Sequence, residues 1–181
     1  MSGLHLIVGC MFSGKSSELL KLIHNYNRMK IPICVASHSL DKRYGENHII
    51  SHSGKKYPCF QLNKLMKLLD EDTFKKSKAV FVEEGQFFED LMEFYEACMS
   101  QKKHLYVAAL NGEFEQKGMG HIDKLYSKCD TIKKLNAYCG VCLNNGIQKD
   151  AIFTKRIVES KEVILVDSTE SYIPVCREHF K

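Results

Sequence analysis

A stretch near the amino end combines two glycines, a lysine and a serine at the spacing of a phosphate-binding loop. Glycines let backbone N–H groups curl around phosphate oxygens, and the N-terminus of a following helix adds the positive end of its dipole. In such a loop Lys15 reaches the outer phosphates and the Ser16 hydroxyl binds Mg²⁺. An apolar run at 4–8 precedes the stretch and a helix-periodic segment at 16–29 follows it, as the motif requires. The pattern predicts a nucleoside triphosphate site formed by Gly9, Cys10, Met11, Phe12, Ser13, Gly14, Lys15 and Ser16.

Two carboxylates, Glu83 and Glu84, follow a continuous apolar run at 79–82. Such a run predicts a strand that is buried on both faces of a sheet. In phosphate-loop folds the carboxyl end of this kind of strand brings an acidic residue to Mg²⁺, directly or through water, and a base to the nucleophile. A solvated strand end is the alternative interpretation. Gly85 and the two phenylalanines that follow favour a functional turn.

Four residues have the types and the spacing of a metal site: Cys139, Cys142, Cys176 and His179. They form two pairs, each with a spacing of three, and suit tetrahedral Zn²⁺ in a closed, structural Cys₃His site. Two unrelated cysteine pairs or a disulfide are the alternatives. Paired zinc knuckles also occur in nucleic-acid-binding proteins, so a nucleic-acid-binding module regulated by ATP stays open as a second hypothesis.

The composition is that of an ordinary globular protein, with 181 residues, 44% hydrophobic and 27% charged. A net charge of +4 suits phosphorylated ligands and is weak evidence for nucleic-acid binding. No apolar run approaches a membrane span, and no secretory signal is visible. Eight scattered cysteines without such a signal indicate a reducing compartment. We therefore expect a cytoplasmic protein that binds neither membrane nor nucleic acid.

Apolar runs and helical stripes alternate along the first 110 residues. This order predicts an α/β fold, a mostly parallel sheet of the phosphate-loop type flanked by helices. We expect strands at 4–8, 33–36, 79–82 and 105–110, helices at 16–29, around Leu62–Leu69 and around Leu91–Cys98, and a long loop at 38–58.

The pattern changes after Thr131, where two short β-rich segments, Ala151–Val158 and Glu162–Val166, stand among the cysteines. They predict a small C-terminal β domain of the zinc-ribbon type. The expected division is a phosphate-loop ATP-binding domain at 1–136 and a zinc-binding domain at 137–181.

Six motifs in order along nearly the whole chain resemble those of the type II thymidine kinases, the cellular and poxviral-type enzymes. The compact length and the early loop resemble the large-DNA-virus members most, which would place the protein in a host cytoplasm. The motifs are Gly9–Ser16, Asp41–Tyr44, Glu83–Phe88, Ala109–Phe114, Phe153–Arg156 and Tyr172–Arg177.

The resemblance implies transfer of the γ-phosphoryl of ATP to the 5′-hydroxyl of thymidine, with Mg²⁺ as cofactor and structural Zn²⁺. Glu84 corresponds to the general base, with Lys15 and Arg43 as further catalytic residues, and Ser16 and Glu83 lie on the Mg²⁺ side. The implied ATP site adds Asp41, Lys42, Arg43, Glu83, Glu84, Gly85 and Gln86 to the loop. The implied nucleoside site contains Phe114, Val163, Ile164, Leu165, Val166, Asp167 and Tyr172.

The chain departs from the family pattern at several positions. Cys10 replaces a proline, Glu83 and Asn111 replace aspartates, Gly118-Met119 replaces Pro-Phe, and His179 replaces a cysteine. None of these changes removes a reacting group, but they leave open whether deoxyuridine is a substrate beside thymidine.

The resemblance also implies a homotetramer or homodimer. Another small-molecule phosphate-loop kinase is the third hypothesis, and the motifs of the second half argue against it.

Overall fold

The computed structural model describes residues 2–40, 47–51, 54–158 and 171–181. The α-helices are α1 (Lys15–Arg28), α2 (Asp72–Lys76), α3 (Leu91–Ser100), α4 (Ile122–Leu125), α5 (Gly140–Asn144) and α6 (Arg177–Phe180). The strands are β1 (Gly3–Gly9), β2 (Ile33–His38), β3 (His48–Ile50), β4 (Lys56–Pro58), β5 (Phe60–Leu62), β6 (Ala79–Glu83), β7 (His104–Leu110), β8 (Thr131–Leu135), β9 (Ala137–Tyr138), β10 (Asp150–Ala151), β11 (Phe153–Arg156) and β12 (Tyr172–Val175). In the described part of the chain, 3₁₀ helices lie at Leu65–Asp70 and Gly85–Phe87. No helix among the described residues is long and apolar enough to cross a membrane.

Six strands form one parallel sheet in the order β5-β2-β6-β7-β1-β8. Parallel strands all point their carboxyl ends to the same edge, and the first strand in sequence lies inside the sheet, between β7 and β8. In doubly wound sheets of this kind ligands bind outside the carboxyl ends of the strands. The predicted α/β class with a parallel sheet is confirmed.

Side chains from alternate positions of the strands supply two apolar layers. On one face Val82 and Val107 pack with Phe88 and Phe94, and on the other face Phe81 packs with residues of α1. Successive residues of a strand point to opposite faces of the sheet. Since both faces of these central strands are buried, apolar residues are needed at every position. This explains why the strands read as continuous apolar runs in the sequence.

Helix α1 is the element that carries the lysine and serine of the phosphate-binding loop. Its buried face consists of Leu19, Leu20 and Ile23, which pack on the sheet. Lys133 of the neighbouring strand β8 holds Glu18 of the first turn at 2.8 Å. The start of α1 is therefore held against the sheet, and the phosphate-binding loop begins at the end of β1 in that same sheet.

Two local predictions were wrong, and one strand was not predicted. The expected loop at 38–58 contains a hairpin, β3 paired with β4, and Leu62 belongs to β5 instead of the following helix. The segment 131–135, which the sequence pattern did not assign, is the edge strand β8 of the main sheet. Its first four residues are exposed, so no buried face marks it in the sequence. The segment Glu162–Val166 lies outside the described residues.

Two short antiparallel pairs, β9 with β10 and β11 with β12, follow the main sheet. A third apolar cluster lies around them and contains Cys139, Cys142 and Cys176. Cys10 of the phosphate-binding loop belongs to the same cluster. The carboxyl edge of the sheet and the cysteine-rich pairs thus share one packed layer.

We expect Leu19→Ala to lower the free energy of unfolding by about 2–5 kcal/mol, because Leu19 is fully buried under the sheet and its removal leaves a cavity. Urea denaturation followed by circular dichroism measures the change. Lys21→Ala, on the exposed face of the same helix, is the control and should change stability by about 0.5 kcal/mol or less. Equal losses in the two variants would contradict the assignment of the buried face.

Candidate functional site: a phosphoryl-transfer centre and a metal cluster at the carboxyl edge of the sheet

The phosphate-binding loop connects β1 to α1 as predicted. Gly9 ends the strand, and Gly14 precedes the helix with φ 83°, in the left-handed region that glycine adopts without strain. A Cβ on Gly9 would lie 2.4 Å from Ser13 Oγ and 2.5 Å from the carbonyl oxygen of Leu135, so only glycine fits at that turn. Lys15 is the first residue of the helix, and its Nζ donates to the carbonyl of Cys10 at 2.9 Å. The lysine therefore lies across the loop.

Two hydroxyls near the loop suit a magnesium-bound triphosphate. Ser13 Oγ is buried and has no hydrogen-bond partner among the described residues. This hydroxyl could donate a hydrogen bond to a phosphate oxygen. Ser16 Oγ donates to Glu83 Oε1. A hydroxyl and a carboxylate side by side offer the oxygen ligands that Mg²⁺ prefers. The residues present fit both ATP and its metal ion.

Glu84 is held by a chain of hydrogen bonds that runs to the end of β7. Its backbone lies in the left-handed region with φ 55°, which is uncommon for a residue with a side chain. Gln86 Nε2 donates to Glu84 Oε2, and Gln86 Oε1 accepts from the backbone N–H of Leu110 at 3.1 Å. Since the Leu110 N–H can only donate, it sets the orientation of the amide and directs the NH₂ group at the carboxylate. A positioned, buried carboxylate at this edge can act as a general base.

His38 is a residue at this edge to which the sequence analysis gave no role. It ends β2, is 6% exposed, and its ring meets that of Phe88 edge-on at 4.7 Å between centroids. Burial lowers the pKa of His38, while the carboxylates of Asp90 and Glu84 act in the opposite direction. The sequence signal was present but indirect, because a histidine at the end of an apolar strand of a parallel sheet lies at the ligand-binding edge.

Phe114 and Tyr172, the aromatic residues predicted for the nucleoside, are brought together by Arg156. The guanidinium carbon lies 3.8 Å from the ring centroid of Phe114 and 5.3 Å from that of Tyr172. Nη2 of Arg156 also donates to the hydroxyl of Tyr172 at 2.7 Å. The motif 153–156 was noted in the sequence, but no role was assigned to this arginine. Arg156 therefore links the two aromatic residues, and its guanidinium covers one face of the Phe114 ring.

The predicted metal cluster has the geometry of a tetrahedral site. The Nδ1 atom of His179 lies 3.5 Å from Cys139 Sγ and 3.4 Å from both Cys142 Sγ and Cys176 Sγ, and the last two sulfurs are 3.9 Å apart. Bonds of about 2.3 Å to sulfur and about 2.0 Å to nitrogen around one tetrahedral Zn²⁺ give separations of roughly 3.5–3.8 Å. The Cys₃His cluster can therefore hold zinc with little rearrangement, and it is closed because all four ligands come from the chain.

The two halves of the cluster are built alike. Cys139 caps α5 and Cys142 lies within it, while Cys176 caps α6 and His179 lies within it. The first ligand of each pair thus ends an extended segment, and the second lies one helical turn further on. Burial alone would raise the pKa of Cys139, but the backbone amides of Cys142 and Cys176 and the His179 ring outweigh it and lower the pKa to about 6. A thiolate, the form that binds zinc, is favoured there.

Two groups of predicted site residues cannot be placed. Asp41, Lys42 and Arg43, and the segment Val163, Ile164, Leu165, Val166 and Asp167, lie outside the described residues. The remaining predicted residues are described. The phosphate-binding loop, Glu83 to Gln86 and Phe114 stand at or beyond the carboxyl ends of β1, β6 and β7, whereas Tyr172 belongs to β12.

We expect Gly9→Ala to weaken binding of Mg²⁺-ADP roughly five- to hundred-fold, because the added methyl overpacks the turn against Ser13 and Leu135. Isothermal titration calorimetry measures the affinity. Gly3→Ala at the other end of the same strand is the control, since its neighbours are the side chains of Asp130, His5 and His104. Unchanged affinity in Gly9→Ala would contradict a phosphate site in this loop.

Comparison with known proteins agrees with the geometry. Residues 2–180 match the family described as thymidine kinase. The thymidine kinase of Sheeppox virus (strain KS-1) is 35% identical over 175 residues, which cover 97% of this chain and 94% of the relative. Thymidine kinase 1 of Dictyostelium discoideum is 35% identical over 181 residues, which cover 96% of this chain and 75% of the relative. The thymidine kinase of Vaccinia virus (strain Western Reserve) is 33% identical over 180 residues, which cover 98% of this chain and 97% of the relative.

The match extends over the phosphate-binding loop, the acidic turn, the aromatic pair and the metal cluster alike, so it concerns the whole arrangement and not the loop alone. The chain belongs to the thymidine kinase family.

Proposed function

We propose that this protein transfers the γ-phosphoryl group of ATP to the 5′-hydroxyl of thymidine, giving dTMP and ADP, as a step of pyrimidine deoxynucleoside salvage for DNA synthesis. The observation that carries the proposal is the contact between the phosphate-binding loop and Glu83, which is followed directly by Glu84 at the carboxyl end of β6. A donor site and a base for the acceptor are the two parts that phosphoryl transfer needs. The family match supplies thymidine as the acceptor.

On the donor side, the loop would hold the triphosphate and Lys15 would turn from the Cys10 carbonyl to the outer phosphates. Ser16 and Glu83, whose side chains are hydrogen-bonded to each other, would hold Mg²⁺, which would neutralise charge on the phosphate oxygens when bound. The longer side chain of Glu83, where the family has aspartate, favours contact through water. Asp41, Lys42 and Arg43 would complete the ATP site, with Arg43 offsetting the charge of the transferring group.

On the acceptor side, Glu84 would accept the proton of the 5′-hydroxyl as its oxygen attacks phosphorus and ADP leaves. Gln86 orients the carboxylate through its own bond to Leu110, so the proton acceptor is positioned before the nucleoside binds. Phe114 and Tyr172 would enclose the thymine ring. The segment Val163–Asp167 would read its edge through backbone groups, which makes deoxyuridine a second candidate substrate.

The Cys₃His cluster would bind a structural zinc ion that holds the C-terminal strand pairs. We further propose that the chain divides into a phosphate-loop domain at 1–136 and a zinc domain at 137–181, that the protein is a homotetramer or homodimer, and that it acts in the cytoplasm. The hypothesis of a nucleic-acid-binding module is not favoured, because the family match covers the whole chain. The charges between the knuckles are also nearly balanced.

Incubation with Mg²⁺-ATP and a panel of deoxynucleosides tests the function. We expect thymidine to give a 5′-monophosphate with formation of an equal amount of ADP, detected by chromatography and mass spectrometry. Product from another nucleoside only, or ATP binding without any monophosphate, would contradict the proposal.

Glu84→Gln should lower kcat for thymidine by about 10²–10⁴-fold, because an amide cannot accept the hydroxyl proton. ATP should still bind, since the loop is untouched. Glu89→Gln, an exposed carboxylate of the same segment, is the matched control and should keep full activity. Retention of wild-type kcat by Glu84→Gln would remove Glu84 from the role of base.

Metal analysis of the purified protein should find about one zinc ion per chain, as four chain-derived ligands predict. Cys139→Ser should lose most of it, because a hydroxyl is a poor zinc ligand. Cys129→Ser, at a half-buried cysteine outside the cluster, should retain it. Equal zinc in both variants would show that the metal binds elsewhere.

A further inference from the structure

Two consecutive residues of the phosphate-binding loop make hydrogen bonds to the part of the chain that carries the metal ligands. Cys10 Sγ donates to the carbonyl of Ala151 at 3.4 Å. The backbone N–H of Met11 donates to Thr154 Oγ1 at 2.9 Å. These contacts join positions 141 and 143 residues apart in the chain. The loop therefore has a protein-facing side as well as a side for phosphate.

The two contacts go to different strand pairs. Ala151 is paired with Ala137 in the β9–β10 pair, which leads into the knuckle of Cys139. Thr154 is paired with Pro174 in the β11–β12 pair, which leads into the knuckle of Cys176. A metal ion bound by both knuckles would tie the two pairs together, and the loop contacts the same two pairs through Cys10 and Met11.

The side chain of Cys10 is buried. It is 1% exposed and packs in the apolar cluster that contains three of the metal ligands. Burial raises the pKa of its thiol.

The same residue also contacts the phosphate-binding lysine. Lys15 Nζ donates to the carbonyl of Cys10, while the side chain of Cys10 reaches into the metal-bearing layer. Any shift of Ala151 relative to the sheet would move Cys10 and with it the backbone of the phosphate-binding loop. One residue therefore connects the phosphate side of the loop to the metal side.

We propose that Cys10 and Met11 couple the two sites, so that zinc in the Cys₃His cluster strengthens nucleotide binding in the loop and nucleotide strengthens zinc binding. Cys10 acts as a positioning residue and touches no reacting atom. Because coupling between two binding sites is reciprocal, the factor measured from either side is the same. The inference rests on the proposed function only in that zinc and ATP bind at these two sites.

An equilibrium linkage experiment tests the coupling on the full chain. Zinc affinity is measured by competition with a chromophoric chelator, with and without saturating Mg²⁺ and the non-hydrolysable ATP analogue AMP-PNP. In the wild type we expect AMP-PNP to tighten zinc binding by about five-fold or more. Cys10→Ala should reduce this ratio towards one, because it removes the thiol that reaches Ala151. A ratio of one in the wild type would overturn the proposal.

Cys34→Ala is the matched control, since Cys34 is equally buried but lies in β2 within the main sheet. Cys34→Ala should lose stability but keep the wild-type ratio of zinc affinities with and without AMP-PNP. If both variants lost this ratio, a cavity alone would produce the effect, and the role of Cys10 would be overturned. Cys10→Ser keeps a donor at the same place and should restore part of the ratio.

A measurement on the wild type alone keeps the test decisive should Cys10→Ala fail to fold. Hydrogen exchange of the Met11 amide, which donates to Thr154, should accelerate after zinc is chelated, while amides of α3 on the far side of the sheet stay protected. Unchanged Met11 exchange would overturn the proposal. Failure of the protein to bind AMP-PNP or to phosphorylate thymidine would instead refute the proposed function, so the two failures are distinct.

Discussion

The parallel register of β1 with its neighbours is the constraint on which the candidate site depends. Gly9 is in register with Leu110 of β7 and with Leu135 of β8, so the turn of the phosphate-binding loop starts level with the ends of both strands. The N–H of Leu110 then orients Gln86, and Gln86 orients Glu84. The distance between the phosphate-binding loop and the proposed base is thus set by strand pairing and not by a flexible loop. Sites supported in this way are held more firmly than sites on loops alone.

The chemistry-bearing residues could be predicted from the sequence where their spacing is local. The phosphate-binding loop, the acidic turn at Glu83 and the pairs of the Cys₃His cluster each lie within a few residues. The strands β1, β6 and β7 were visible because both of their faces are buried. The edge strand β8 was not visible, since a strand held by backbone bonds with exposed side chains leaves no apolar pattern.

Contacts that depend on tertiary register could not be predicted. The bond between Gln86 and Leu110 spans 24 residues, and that between Cys10 and Ala151 spans 141. No periodicity in the sequence encodes which side chain meets which carbonyl across such separations. Cys10 shows the consequence, because in the sequence it was an unexplained replacement inside a motif and in the fold it packs with the metal ligands. Its function follows from where the strand pairs place Ala151, and this needs the structure.

The central claim is that one edge of the sheet holds donor and acceptor for a single phosphoryl transfer. A crystal structure with zinc, Mg²⁺ and a bisubstrate compound, in which a tetraphosphate joins the 5′-oxygens of adenosine and thymidine, tests it most directly. The account predicts phosphates within the loop Gly9–Ser16, thymine between Phe114 and Tyr172, and the thymidine 5′-oxygen within hydrogen-bond distance of Glu84. A thymidine bound away from this aromatic pair, or a 5′-oxygen beyond reach of Glu84, would contradict the account.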